Sequence, residues 1–221
     1  MYKISSIVIL MVLYGTIFAQ YAQYEDTPPT QGNEVGAGVT IAMSGFGLGG
    51  FYRIALPNFF SLGAKVDFYF MRDDKEYTYY DPYYDPYGYY PIQVNKFNRL
   101  FIIPVDVELK KRLFQNSIED NFRPYVIGMT GILFGMNFPK RDSYQYQNLS
   151  PEEREALPQG NEYRFTLSFA LGFGIDFSSN DNFFFSIRPQ YRLNYFPVSI
   201  ATKKNHSSFE IRFELGKRKL K

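Results

Sequence analysis

Thirteen charged side chains stand at every second position inside apolar runs: Arg53, Lys65, Asp67, Asp106, Glu108, Lys110, Arg164, Asp176, Arg188, Arg192, Glu210, Arg212 and Glu214. Seven are cationic and six anionic. Charges in such a pattern support one of two chemistries. They line an ion-selective path, or they pair with one another and fill a narrow interior, because a charge removed from water must be partnered. A second candidate is His206, the only histidine, beside Ser207 and Ser208. Ser, His and an acid together can hydrolyse an ester. Neighbours on a strand face opposite ways, however, and no carboxylate is fixed by spacing, so His206 reads as a solvated loop residue. The chain has no cysteine. No catalytic set, cofactor site or metal site is assigned.

A third candidate is the stretch from residue 77 to 90, which carries Tyr77, Tyr79, Tyr80, Tyr83, Tyr84, Tyr87, Tyr89 and Tyr90 around a doubled Asp-Pro-Tyr unit. Prolines oppose a strand ladder, and aspartates keep the segment soluble. Tyrosine offers rigid contact area with a hydrogen-bonding tip. The segment therefore reads either as a recognition loop for a surface glycan, protein or lipid headgroup, or as a lid packed on its own scaffold. Asp81 and Asp85 do not have the spacing of an EF-hand calcium loop. Ser150-Pro151-Glu152-Glu153 has the form of an N-cap, first-turn proline and capping box, which predicts a short helix.

The elements that position these groups are strands. Residues 209–215 alternate Phe209, Ile211, Phe213 and Leu215 with Glu210, Arg212 and Glu214, which puts every charge on one face. The same alternation defines eight strands, near 35–43, 51–56, 62–71, 99–110, 123–136, 163–177, 183–195 and 209–215. The fifth has apolar residues on both faces. Connections alternate in length, with tight turns at 57–58 and 178–182, a medium link at 111–122, and long segments at 72–98, 137–162 and 197–207. The first connection, around Gly45-Phe46-Gly47, is the short one on the long-loop side. Pro104 and Pro189 fall inside strands and predict bulges.

Composition fits this reading. Aromatics make up 19% of the chain, with 23 Phe and 20 Tyr, a share suited to a lipid-contacting surface. Mean hydropathy is −0.28, modest as expected when strands hide half their residues in a polar interior. A net charge of +2 gives no field for nucleic acid. Lys3, the apolar run from Ile7 to Leu13 and a small residue at Ala19 have the form of a secretion signal. The expected organisation is a cleaved signal peptide at 1–19, a flexible lead-in at 20–33, a barrel at 34–216 and a basic tail at 217–221.

Alternation alone does not orient a barrel, since a lipocalin-type barrel buries its apolar face. Here the polar face mixes charges with Gly36, Gly38, Ser168, Gly172 and Gly174, which suits a crowded lumen better than a wet exterior. The apolar face contains no charge, and one at the bilayer midplane would cost about 2–4 kcal/mol. The chain is thus expected to be all-β, a closed antiparallel up-and-down transmembrane barrel of eight strands.

Ile103-Pro104-Val105, Arg123-Pro124-Tyr125-Val126 with Gly128 and Gly131, Leu171-Gly172-Phe173-Gly174-Ile175-Asp176 and the alternating last strand resemble the small outer-membrane β-barrel family, including OmpX/OmpW-like and PorT-like barrels. The resemblance implies export to the outer membrane, outer-membrane lipid as surroundings and the barrel-assembly machinery as a partner in biogenesis. It says little of activity. The leading expectation is a non-enzymatic structural or surface-interaction barrel with long extracellular loops and a lumen plugged by paired charges. A narrow channel or small-solute transporter, and a lipid-modifying enzyme, stay open as alternatives.

Overall fold

The structure is a computed structural model that describes residues 32–72, 76–79, 83, 92–94, 97–114, 122–140, 147–180 and 183–220. In chain order these form β1 (Gly32–Ala42), β2 (Gly45–Leu56), β3 (Phe60–Met71), β4 (Tyr77–Tyr79), β5 (Ile92–Val94), β6 (Leu100–Arg112) and β7 (Phe122–Asn137). A short helix α1 (Pro151–Glu155) follows, then β8 (Glu162–Asn180), β9 (Phe183–Ile200), β10 (Lys203–Asn205) and β11 (Ser208–Leu220).

Eight of these strands, β1, β2, β3, β6, β7, β8, β9 and β11, pair antiparallel in that order, and β11 pairs back onto β1 to close the sheet. Closure leaves no free edge along the paired length. β4 and β5 form a separate small hairpin in the connection between β3 and β6. β10 continues the β11 side of β9 beyond the barrel wall. One end of the barrel holds the tight β2–β3 and β8–β9 turns, the β6–β7 link and both Gly32 and Leu220. The opposite end holds the remaining connections. They are called here the turn end and the loop end.

Strand register corrects several sequence boundaries. β1 begins at Gly32, inside the expected lead-in, and pairs Gly32 with Leu220. The expected basic tail is strand as far as Leu220, because Lys217, Arg218 and Lys219 keep the alternation and rung with β1. Gly45, Phe46 and Gly47 are not a loop but the first rungs of β2, leaving Met43 and Ser44 as the turn. The expected long segment at 197–207 is a hairpin of β9 and β10, turning at Ala201 and Thr202. Neither proline makes a bulge. Register is unbroken across Pro104 and Pro189, and each proline coincides with missing rungs on one side only, towards β3 and β8 respectively. A residue without an N–H simply omits its donation.

The predicted helix is present as drawn. Ser150 Oγ accepts from Glu153 N at 3.2 Å, and Glu153 Oε2 accepts from Ser150 N at 2.9 Å, a complete capping box.

Candidate functional site

Alternation fixes which side chains enter the lumen. Along β11, Glu210, Arg212, Glu214 and Arg218 are buried, while Phe209, Leu215, Lys217 and Lys219 are exposed. Interior aromatics lie flat against the wall because a glycine is their cross-strand partner: Phe51 opposite Gly36, Tyr69 opposite Gly47, Tyr125 opposite Gly174 and Phe184 opposite Gly216. A Cβ at Gly174 would come within 2.5 Å of Tyr125 Oη. These glycines make room for rings beside the charges.

The centre of the lumen is ionic. Arg53 donates from Nε to Glu108 at 2.5 Å, from Nη2 to Glu214 at 2.9 Å and from Nη1 to Glu34 at 3.3 Å. Glu214 also accepts from Arg212 Nε at 2.7 Å and faces Arg188 Nη2 at 3.1 Å. Arg212 Nη1 reaches Asp67 at 2.8 Å, and Lys65 sits 3.0 Å from the same carboxylate and 3.5 Å from Asp106. Arg192 donates to Asp106 at 2.9 Å and to Ser168 at 2.6 Å, and lies 3.5 Å from Glu210, which also accepts from Gln190. Arg53, Arg188 and Arg212 are 0% exposed, so these pairs are sealed from bulk solvent.

Near the turn end, Lys110 donates to Asp176 at 2.7 Å and to Glu34 at 3.1 Å, and Arg218 donates to Glu34 at 2.9 Å. Of the charges expected inside, the structure brings twelve into this interior. It leaves out Arg164, which is half-buried and donates to Tyr163 O at 3.0 Å. The reason is position. Arg164 lies beyond the last β8–β9 rung at Ser168 and Asn194, where β8 still pairs with β7 but the wall is open on its β9 side. Sequence reasoning missed Glu34, Arg123 and Arg218, all buried. Each shares the inward parity of its strand, but Glu34 lies one residue before the first expected strand, Arg123 at the start of the fifth and Arg218 in the expected tail.

β7 accounts for the strand with two apolar faces. Its inward Tyr125, Ile127 and Met129 pack with Ala170 as an apolar stripe in the ionic lumen. Towards the loop end, Tyr69, Ile102, Leu133, Phe196 and Ile200 form a second apolar cluster that caps the charges. Phe196 and Ile200 come from the outer part of β9 and lie over Gly135 of β7, so the β9–β10 hairpin leans across the lumen. Glu162 holds its tip by accepting from Ala201 N at 2.8 Å. Both turn residues have positive φ, 49° at Ala201 and 69° at Thr202, as a two-residue primed turn requires.

His206 belongs to this cap and is not solvated. It is buried, its Nε2 is 3.2 Å from both Ile200 O and Lys203 O, and its ring packs edge-on to Phe196. Ser207 Oγ accepts from Asn194 N, and Ser208 Oγ donates to Glu210, so the imidazole activates neither hydroxyl. Among the described residues, no group of three His, Cys, Asp or Glu side chains is placed to hold a metal ion.

The outer wall is apolar and carries two rows of rings. At the loop end, Phe46–Phe70–Phe101–Phe138–Tyr163 run from β2 past β7 to β8, with centroids 5.0–6.1 Å apart, and Phe134 and Phe165 stack beside them at 4.6 Å. At the turn end, Phe122, Phe177, Phe185 and Phe213 run from β7 to β11 at 5.7–6.4 Å. Phe165 and Phe177 mark both rows on β8. Their spacing is about 40 Å along a strand, or about 28 Å along the barrel axis at a tilt of about 45°.

Of the tyrosine-rich segment, Tyr77 and Tyr79 lie in β4, and Tyr83 is in a turn and 84% exposed. Tyr80, Tyr84, Tyr87, Tyr89 and Tyr90 lie outside the described residues, as do Asp81, Asp85 and residues 1–31.

No protein-family model and no curated protein sequence matches the chain. Among solved structures it is similar to Neisserial surface protein A, at 10% identity over 86% of this chain and 96% of that one, with a TM-score of 0.46. The N-terminal β-barrel domain of Pseudomonas aeruginosa OprF gives 12% identity over 86% and 98%, with a TM-score of 0.46. The attachment invasion locus protein Ail of Yersinia pestis gives 13% over 85% and 97%, with a TM-score of 0.41. These likenesses are low, and the architecture rests on the strand pairing above. By that pairing the chain is a closed eight-stranded antiparallel β-barrel, the fold of the small outer-membrane barrels it resembles.

Proposed function

We propose that this chain is an exported outer-membrane barrel with an occluded lumen, which acts at the cell surface through the connections of its loop end. One observation carries the reading: the barrel is inside out relative to a soluble one. Its paired charges are buried, while Leu167, Leu171, Phe173 and Leu215 are all more than half exposed. An apolar band of about 28 Å between two aromatic rows matches the height of a barrel wall in lipid. Water on that wall would be strongly unfavourable, at about 25 cal/mol for each Å² of apolar surface left wet.

The occlusion has two layers, the ionic centre and the apolar cap, and the connections at the loop end are what remain for recognition. The tyrosine-rich loop carried by the β4–β5 hairpin is the leading element. Its partner class is a surface glycan or protein. Fractionation tests location: the protein should sediment with outer membranes and show heat-modifiable migration, and recovery as a soluble monomer would overturn the membrane reading. Planar bilayers test the lumen. No steady conductance is expected, and a stable ohmic step from the purified protein would move the narrow channel into first place.

A further inference from the structure

The geometry points to a binding site for a phosphorylated glycolipid of the outer leaflet, in a notch on the loop-end rim where Arg72 and Arg99 stand above the aromatic row. The inference rests on the outer-membrane reading above. The β1–β2 turn is only Met43 and Ser44, so this stretch of wall stops low, beside the longer connection that follows β3. A cavity of about 610 Å³ opens there. Its lower side is apolar, formed by Phe46, Phe70 and Phe101, and Met43 in the turn beside it is 83% exposed. Phe46, Phe70 and Phe101 are the rings of the outer aromatic row, so the cavity continues into the lipid-facing wall.

The upper side is cationic. Arg72 and Arg99 both line it and both are exposed. Their backbones are fixed at the strand ends, Arg72 N donating to Ser44 O at 2.6 Å and Arg99 N to Phe138 O at 3.2 Å. Glu76 also lines the rim, so that among the described residues two guanidinium groups stand against one carboxylate. A guanidinium fork matches phosphate oxygens in a bidentate geometry, more closely than an ammonium does. Charge above and rings below is the order of groups in an amphiphile whose phosphate sits at the membrane surface and whose acyl chains descend. A free phosphate ion would have no use for the aromatic floor, and an uncharged lipid none for the arginines.

The test is native mass spectrometry of the detergent-purified full chain, titrated with bis-phosphorylated lipid A, with dephosphorylated lipid A and with inorganic phosphate. The phosphorylated lipid should be retained at least tenfold more tightly than the dephosphorylated one. The double variant Arg72→Glu with Arg99→Glu should erase that preference while keeping heat-modifiable migration. If the charge reversal does not fold, Arg72→Gln with Arg99→Gln gives the same comparison. Equal retention of the two lipids, an unchanged preference in the variants, or displacement of the lipid by millimolar inorganic phosphate would each overturn the site. Failure of the wild-type chain to enter bilayers would sink the membrane reading instead, and the two failures are read in separate measurements.

Discussion

Replacing Glu214 by glutamine tests the occluded lumen at its most connected point. The carboxylate sits within 3.1 Å of Arg53, Arg188 and Arg212, and all four side chains are 0% exposed. Glutamine keeps the volume but removes the charge, and its amide can accept from at most part of that set. Three guanidinium groups then share the remaining carboxylates, Glu108, Glu34 and Asp67. Breaking a buried pair by removing one partner costs about 3–5 kcal/mol, because the partner's charge stays buried. For an m-value of about 2 kcal/mol per molar urea, the midpoint should fall by about 1.5–2.5 M. The assay is urea unfolding in a fixed detergent, followed by heat-modifiable migration and by tyrosine fluorescence. Glu152→Gln, on the exposed helix α1, is the control and should change stability by less than about 0.5 kcal/mol, a midpoint shift under about 0.25 M. A Glu214→Gln loss below about 1 kcal/mol would mean that water reaches these groups, and the occluded interior would be refuted.

Other expectations are simpler. Phe169 points outward near mid-strand, so Phe169→Arg should destabilise the inserted barrel by about 2–4 kcal/mol, whereas Phe169→Leu should cost under about 1.5 kcal/mol; equal urea midpoints for both would mean that the wall does not meet lipid. Ser168→Arg also fails, for a different reason: Ser168 is 1% exposed and already accepts from Arg192, so a second guanidinium there is buried beside a like charge. Thr202→Gly should stabilise by about 1 kcal/mol, since a β-branched residue is held at φ 69°, and a loss of stability would deny the turn geometry. Replacing residues 80–91 by a Gly-Ser linker should leave folding intact and remove surface binding, as scored by migration and by a cell-adhesion assay; retained binding would shift the function to another loop.

The wall was legible in the sequence because a period of two is a direct image of the pleat, and lipid tolerates no error on one face. That constraint made β9 and β11 readable by eye, down to the inward parity of Arg188, Arg192, Arg212 and Glu214. It gave no warning about the ends. A strand near its rim is no longer required to be apolar outside, so Lys217 and Lys219 looked like a tail although they are rungs. Glycines misled for a related reason. Gly45 and Gly47 read as a turn, yet Gly47 is in the wall because the ring of Tyr69 lies on it, and alternation in one strand cannot reveal a neighbour's bulk. His206 was misplaced because its burial depends on a hairpin bending across the lumen, a tertiary event with no local period. The partnership of the charges was likewise beyond spacing: parity says that Glu34 and Arg218 face inward, and only closure of the sheet makes them neighbours.

That closure has a consequence for the order of events in folding. Glu34 and Arg218 are direct rung partners, separated by 184 residues. Hairpins from β1 to β9 can zip in sequence, each closing a loop far shorter than the whole chain, but they yield only a curved sheet with two raw edges. The barrel comes into being when the 13 residues of β11 bridge those edges. Contacts of such sequence separation are slow to find, because the entropy of the whole intervening loop must be lost first. Until then the inward charges of β1 and β2 face an open trough. The ion pairs that later seal the lumen therefore act as a latch on the seam, and a slip of two rungs would set Glu34 against Gly216 or Leu220 and leave it without Arg218. Register at the seam is thus proofread by charge after it has been proposed by the pleat.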